Sequence, residues 1–84
     1  MSTTAVKVTA DAEVSGSNQR VVGVAVTKTS AGDRLDLKDG GSGGTIKAAI
    51  DADVGGYIPL EIEFNTDVYA DVTGTTAIYL VIYR

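Results

Sequence analysis

Residues 57–84 read YIPLEIEFNTDVYADVTGTTAIYLVIYR, three runs parted by Asn65-Thr66-Asp67 and Thr73-Gly74-Thr75. In the first run Ile58, Leu60, Ile62 and Phe64 share one side, and Glu61 and Glu63 the other. Successive side chains of a strand point to opposite faces, so this period of two marks a half-buried strand. Pro59 falls on the polar side and removes a backbone donor, which suits an edge strand or a strand start. Working backwards, the same alternation recurs. Thr45–Asp51 offers Ile46, Ala48 and Ile50 to a core, Arg34–Lys38 offers Leu35 and Leu37, and Arg20–Thr29 offers Val22, Val24 and Val26. A short run at Ala5–Thr9 places Val6 and Val8 together.

The breaks between these runs are Ser15-Gly16-Ser17-Asn18, Ala31-Gly32-Asp33 and the glycine-rich Asp39–Gly44, all turn chemistry. No stretch of ten or more residues carries a helical period. The expectation is an all-β chain, a compact two-sheet β-sandwich, Ig-like or jelly-roll-like, of about seven short antiparallel strands. Residues 1–19 read as an N-terminal arm holding a first strand, and residues 20–84 as the sandwich domain.

Composition narrows the function. The 84 residues include no Cys, no His and no Trp, one Phe, one Met and four Tyr. A domain this short buries only about 60% of the surface its unfolded chain exposes. Neither disulfides nor a Cys/His metal site can compensate, and oligomerisation is a common remedy for so thin a core. The net charge of −4, with Arg20, Lys28, Arg34, Lys38 and Lys47 scattered, lacks the basic stripe of a nucleic-acid binder. No apolar run is long enough to span a membrane. Met1-Ser2-Thr3-Thr4 carries no charged segment leading into an apolar one, so no secretory signal is expected.

Without His or Cys, general acid–base or nucleophilic catalysis near neutral pH lacks its usual groups, and the chain reads as a non-enzyme. Glu61 with Glu63, or Asp67 with Asp71, are carboxylate pairs that read as ordinary solubility devices on exposed strand faces. The Asp39–Gly44 run lacks the Lys-Ser/Thr ending and the helix of a phosphate loop, and reads as a hairpin turn. Asp33, Asp36 and Asp39 alternate across a strand and supply no calcium loop. No cofactor or metal is expected.

Two strands are apolar on both sides. In the last, Ile78, Leu80 and Ile82 lie on one face, read as the inner one, and Tyr79, Val81 and Tyr83 on the other. The strand from Arg20 places Val21, Gly23 and Ala25 on its second face. A sandwich normally wets its outer face, so an apolar outer face calls for a cover, either a loop of the same chain or a partner. Tyr79, Val81 and Tyr83 with Val21, Gly23 and Ala25 are therefore the expected interface residues. Tyr69, between Asp67 and Asp71, and Tyr57 are candidate contacts for stacking sugar rings, or else cap sheet edges or pack in an interface.

Four stretches in fixed order carry a family resemblance: RVVGVAVTKTSAGDRLDLKDG (20–40), GSGGTIKAAI (41–50), YIPLEIEFNTDVYADVTGT (57–75) and TAIYLVIYR (76–84). From Arg20 onward the chain resembles small structural proteins of phage virions: capsid decoration (cement), head-fibre or tail-associated modules. The resemblance implies a non-enzymatic homo-oligomer, such as a trimer, made in the host cytoplasm and located in the virion. Its partners would be itself and the major capsid protein or another virion protein, with no nucleic acid and no membrane. The alternative is a carbohydrate- or receptor-binding module of a tail or fibre.

Overall fold

The glycine-rich run Asp39–Gly44 is the point about which the whole chain doubles back. The computed structural model describes residues 3–84, in which eight strands follow one another: β1 (Thr4–Val8), β2 (Ala12–Ser15), β3 (Gln19–Lys28), β4 (Arg34–Asp39), β5 (Thr45–Asp51), β6 (Gly56–Phe64), β7 (Val68–Thr73) and β8 (Ile78–Tyr83). Each pairs antiparallel with the strand equally far from the bend: β4 with β5, β3 with β6, β2 with β7 and β1 with β8. This long hairpin is then rolled up, which brings β8 against β3 and β7 against β4. Two four-stranded sheets result, ordered β1-β8-β3-β6 and β2-β7-β4-β5. That wrapping is a jelly roll, so strand order selects the second of the two expected sandwich forms.

The expected strands appear within a residue or two of their anticipated ends, and β2 is additional. Its four residues contain one buried apolar side chain, Val14, and so show no readable alternation. Residues 3–19, within the stretch expected as an arm holding a first strand, contribute two strands to the sandwich. β1 is an edge strand of the first sheet and β2 an edge strand of the second. The Asp11 carboxylate between them accepts a hydrogen bond from the Val72 amide at 2.6 Å. Met1 and Ser2, the start of that expected arm, lie outside the described residues.

The core lies between the sheets and is filled chiefly by valine. Phe64 and Tyr79 are its two largest side chains, and Leu35, Leu37, Val21, Val24, Val68 and Val81 are also fully buried. Leu35, Leu37 and the Ile58-Leu60-Ile62-Phe64 row face inward as their alternation implied. Three phases differ. In β3 the pairing slips between Val21 and Gly23, and the extra residue re-phases the strand, so Val21 rather than Val22 joins Val24 and Val26 inside. In β5 a slip opposite Leu37/Lys38 leaves Ile46 half exposed while Ala48 and Ile50 stay buried. In β8 the expected faces are exchanged. Tyr79 and Val81 have no exposed surface, and Ile78, Leu80 and Ile82 take the outer side.

The exchange in β8 follows from cross-strand register. Residues directly opposite in a sheet share a face. Tyr79 lies between Val8 and Val26, and Val81 between Val6 and Val24, all on the core side. Val6 and Val8 of β1 and Val24 and Val26 of β3, all on the core side, thus set the phase of a strand that is apolar on both sides.

Candidate functional site

With the core assigned, the outer faces of the two sheets differ in how apolar and charged side chains are distributed. On the β2-β7-β4-β5 sheet the exposed side is polar and internally paired. Arg34 donates two hydrogen bonds to Asp36, at 2.8 and 2.9 Å. Lys38 donates to Asp71 at 2.6 Å and to the Ser42 carbonyl at 3.0 Å. These hydrogen bonds draw the Arg34 and Lys38 pKa values above their ordinary positions. Tyr69 stands half-buried on this face, opposite Glu13 on one side and Lys38 on the other.

The outer side of the β1-β8-β3-β6 sheet is apolar in its middle and charged at one end, where Arg20 pairs with Glu61 at 3.5 Å and Glu63 at 3.1 Å, and Arg84 with Glu61 at 3.3 Å. Ile78, Leu80 and Ile82 run along β8 and are only partly buried. Leu80 is flanked by Ala25 of β3 and Lys7 of β1, and Ile82 by Gly23 and Ala5. Tyr57 of β6 extends the row beyond Ala25, is 49% exposed, and lays the end of its ring over Gly23. A Cβ on Gly23 would collide with the Tyr57 hydroxyl and stand 2.6 Å from the Ile58 carbonyl oxygen, so glycine is required there.

The expected interface residues therefore divide. Gly23 and Ala25 stay on the apolar outer face, Gly23 beneath Tyr57. Tyr79, Val81 and Val21 are core, and Tyr83 is half-buried with its side chain packed against the core. The residues that the alternation assigned inward, Ile78, Leu80 and Ile82, occupy the outer face instead. No local signal in residues 76–84 distinguishes the two sides, because both are apolar. Tyr57 and Tyr69 lie on opposite faces of the sandwich, so they cannot join in one sugar-stacking platform.

The third cluster holds the hairpin bend. The Asp39 carboxylate accepts from the amides of Asn65 and Thr66, both at 2.8 Å, and of Asp67 at 3.4 Å. The Asp67 carboxylate in return accepts from the amides of Gly40 at 2.7 Å and Gly41 at 3.0 Å. Each loop thus closes the other. These backbone donors hold the Asp39 carboxyl below the usual carboxylate range. Asp67 is lowered by a carboxyl hydrogen bond with Glu13 and by the Gly40 amide, while the same bond raises Glu13. At the other end of the sandwich Asp33 accepts from Ala77 at 2.9 Å and Thr76 at 3.0 Å, which lowers its pKa likewise.

Asp33, Asp36 and Asp39 are thus committed to three separate partners. Among the described residues no group of three or more His, Cys, Asp or Glu is placed to hold a metal ion. The described residues form no pocket, and what the molecule offers chemically is two broad faces, one largely ion-paired and one with an apolar middle beside a charged end. Comparison with protein-family models, with curated proteins and with solved structures found no match.

Proposed function

We propose that this chain is a non-enzymatic structural protein of a phage virion, a capsid decoration protein that self-associates and coats the head surface. The observation that carries the reading is the row Ile78-Leu80-Ile82, set centrally on an outer sheet face beside Ala25 and Tyr57. An apolar sheet face left without cover in the monomer is a surface for assembly. The motif order from Arg20 to Arg84 resembles virion structural proteins, and the jelly roll is an architecture of capsid and lectin domains. Fold analogy by itself does not assign function, so the apolar face is the weightier support. Many symmetric copies convert one weak contact into firm attachment through high effective concentration.

The test is to mix the purified chain with undecorated capsids. Saturable, near-stoichiometric binding is expected. Failure to bind, with retention on a glycan array that is lost in Tyr69→Ala, would replace this reading with a carbohydrate-binding module of a tail or fibre. Tyr69, outward between Glu13 and Lys38, is the residue that favours that second reading.

A further inference from the structure

We infer that the apolar face is filled by the same face of a second copy, in a two-fold dimer whose axis runs parallel to the strands between β8 and β3. The inference rests on the reading of this face as an assembly surface and specifies its occupant and geometry. The area suits a symmetric pair. The four strands of this face, of 5, 6, 10 and 9 residues, set about 4.8 Å apart and rising about 3.3 Å per residue, give a sheet face of roughly 500 Å². Two such faces together reach about the 1,000 Å² that a biological interface with good complementarity should clear.

The order of side chains across the face is self-complementary. One cross-strand row reads Lys7, Leu80, Ala25, Tyr57 from β1 through β8 and β3 to β6. β8 presents the large aliphatics Ile78, Leu80 and Ile82, whereas β3 presents the small Ala25 next to Gly23, which the Tyr57 ring covers. A two-fold axis along the strands exchanges β8 with β3 and β1 with β6. Leu80 of each copy then meets Ala25 of the other, large against small, as an isologous contact requires. The same operation carries Lys7 over the exposed ring of Tyr57 at both ends of the row, a cation–π arrangement at the rim. Two sheets stacked this way lie aligned at about 30°, as in any sandwich. The charged β2-β7-β4-β5 faces then become the outer surfaces of the dimer.

The test uses the full chain, which contains no native cysteine to confuse cross-linking. Sedimentation equilibrium should give a dimer with a dissociation constant at or below roughly 10 μM. Leu80→Glu, which places a carboxylate at the centre of the patch, should weaken it at least about 100-fold while the circular dichroism spectrum stays unchanged. The Lys7→Cys/Tyr57→Cys double variant should form a disulfide-linked dimer on oxidation, and Lys7→Cys alone should not. A monomeric wild type, or efficient cross-linking of Lys7→Cys alone, would overturn the inference, the latter because it places β1 against β1. Capsid binding by a monomer would leave the virion reading standing without this dimer. A dimer that ignores capsids would do the reverse.

Discussion

Tyr79 carries the least economical group in the core, and removing it should strengthen the fold. The residue exposes no surface, lies between Val8 and Val26, and among the described residues its hydroxyl has no hydrogen-bond partner. A buried hydroxyl without a partner costs about 1–3 kcal/mol in desolvation. Tyr79→Phe removes that cost and forfeits only the dispersion contacts of one oxygen, a few times 0.1–0.2 kcal/mol. The variant should therefore be more stable by about 1 kcal/mol, which for a domain of this size raises Tm by roughly 4–8 °C. Thermal and urea unfolding followed by far-ultraviolet circular dichroism measures it. A loss of about 1 kcal/mol or more would refute the reasoning, because the hydroxyl would then have a partner such as a buried water. Burial pushes the Tyr79 phenol up, and the carboxylates of Asp33 and Asp51 add to the effect. A raised native pKa means stability present below the unfolded value of about 10 and lost as pH climbs past it. One of the four tyrosines should thus titrate only as the wild type unfolds in alkali.

Acid should weaken the fold, with a sign that follows from the turn carboxylates. Asp33, Asp39 and Asp67 all have native pKa values below the ordinary one, so their contribution is present above about pH 4 and is lost as pH falls through the lower native values. Glu13 is raised and acts in the opposite sense, contributing while protonated and losing that contribution as pH rises through its native pKa. The urea midpoint should drop between pH 7 and pH 3, and the drop should shrink in Asp39→Asn and in Asp33→Asn; an unchanged drop in both would reject the carboxylate origin. Gly74→Ala should destabilise by more than about 1 kcal/mol, since Gly74 has φ +96° and a Cβ would strike the Asp33 carboxylate. Gly16→Ala, with open space around it, serves as the control and should stay within about 0.5 kcal/mol. Gly23→Ala should cost about 1–3 kcal/mol, as overpacking does. Adding Tyr57→Ala should recover only part of the loss, because the Ile58 carbonyl 2.6 Å from the new Cβ is backbone and remains.

Much of the fold is legible in local pattern. Leu35 and Leu37, or Ile58 through Phe64, alternate with charged or polar neighbours, so each such strand states its own inner face. The glycines and aspartates between them mark the turns, down to the hairpin bend at Asp39–Gly44. Those features act over two to five residues, and a chain read in one pass contains them in full.

Tertiary structure decided the rest, because the information lies in pairings between distant residues. β8 is apolar on both sides, and only its register against Val6, Val8, Val24 and Val26 turns Tyr79 and Val81 inward and leaves Ile78, Leu80 and Ile82 outside. The slip at Val21/Gly23 comes from pairing with β6 and β8, which reverses the local phase of β3. β2 exists through its pairing with β7 rather than through any periodicity of its own. The reciprocal closure of two loops by Asp39 and Asp67 joins residues 26 to 28 positions apart. Alternation determines that a strand has two faces, but which face meets the core depends on neighbours that only folding brings alongside.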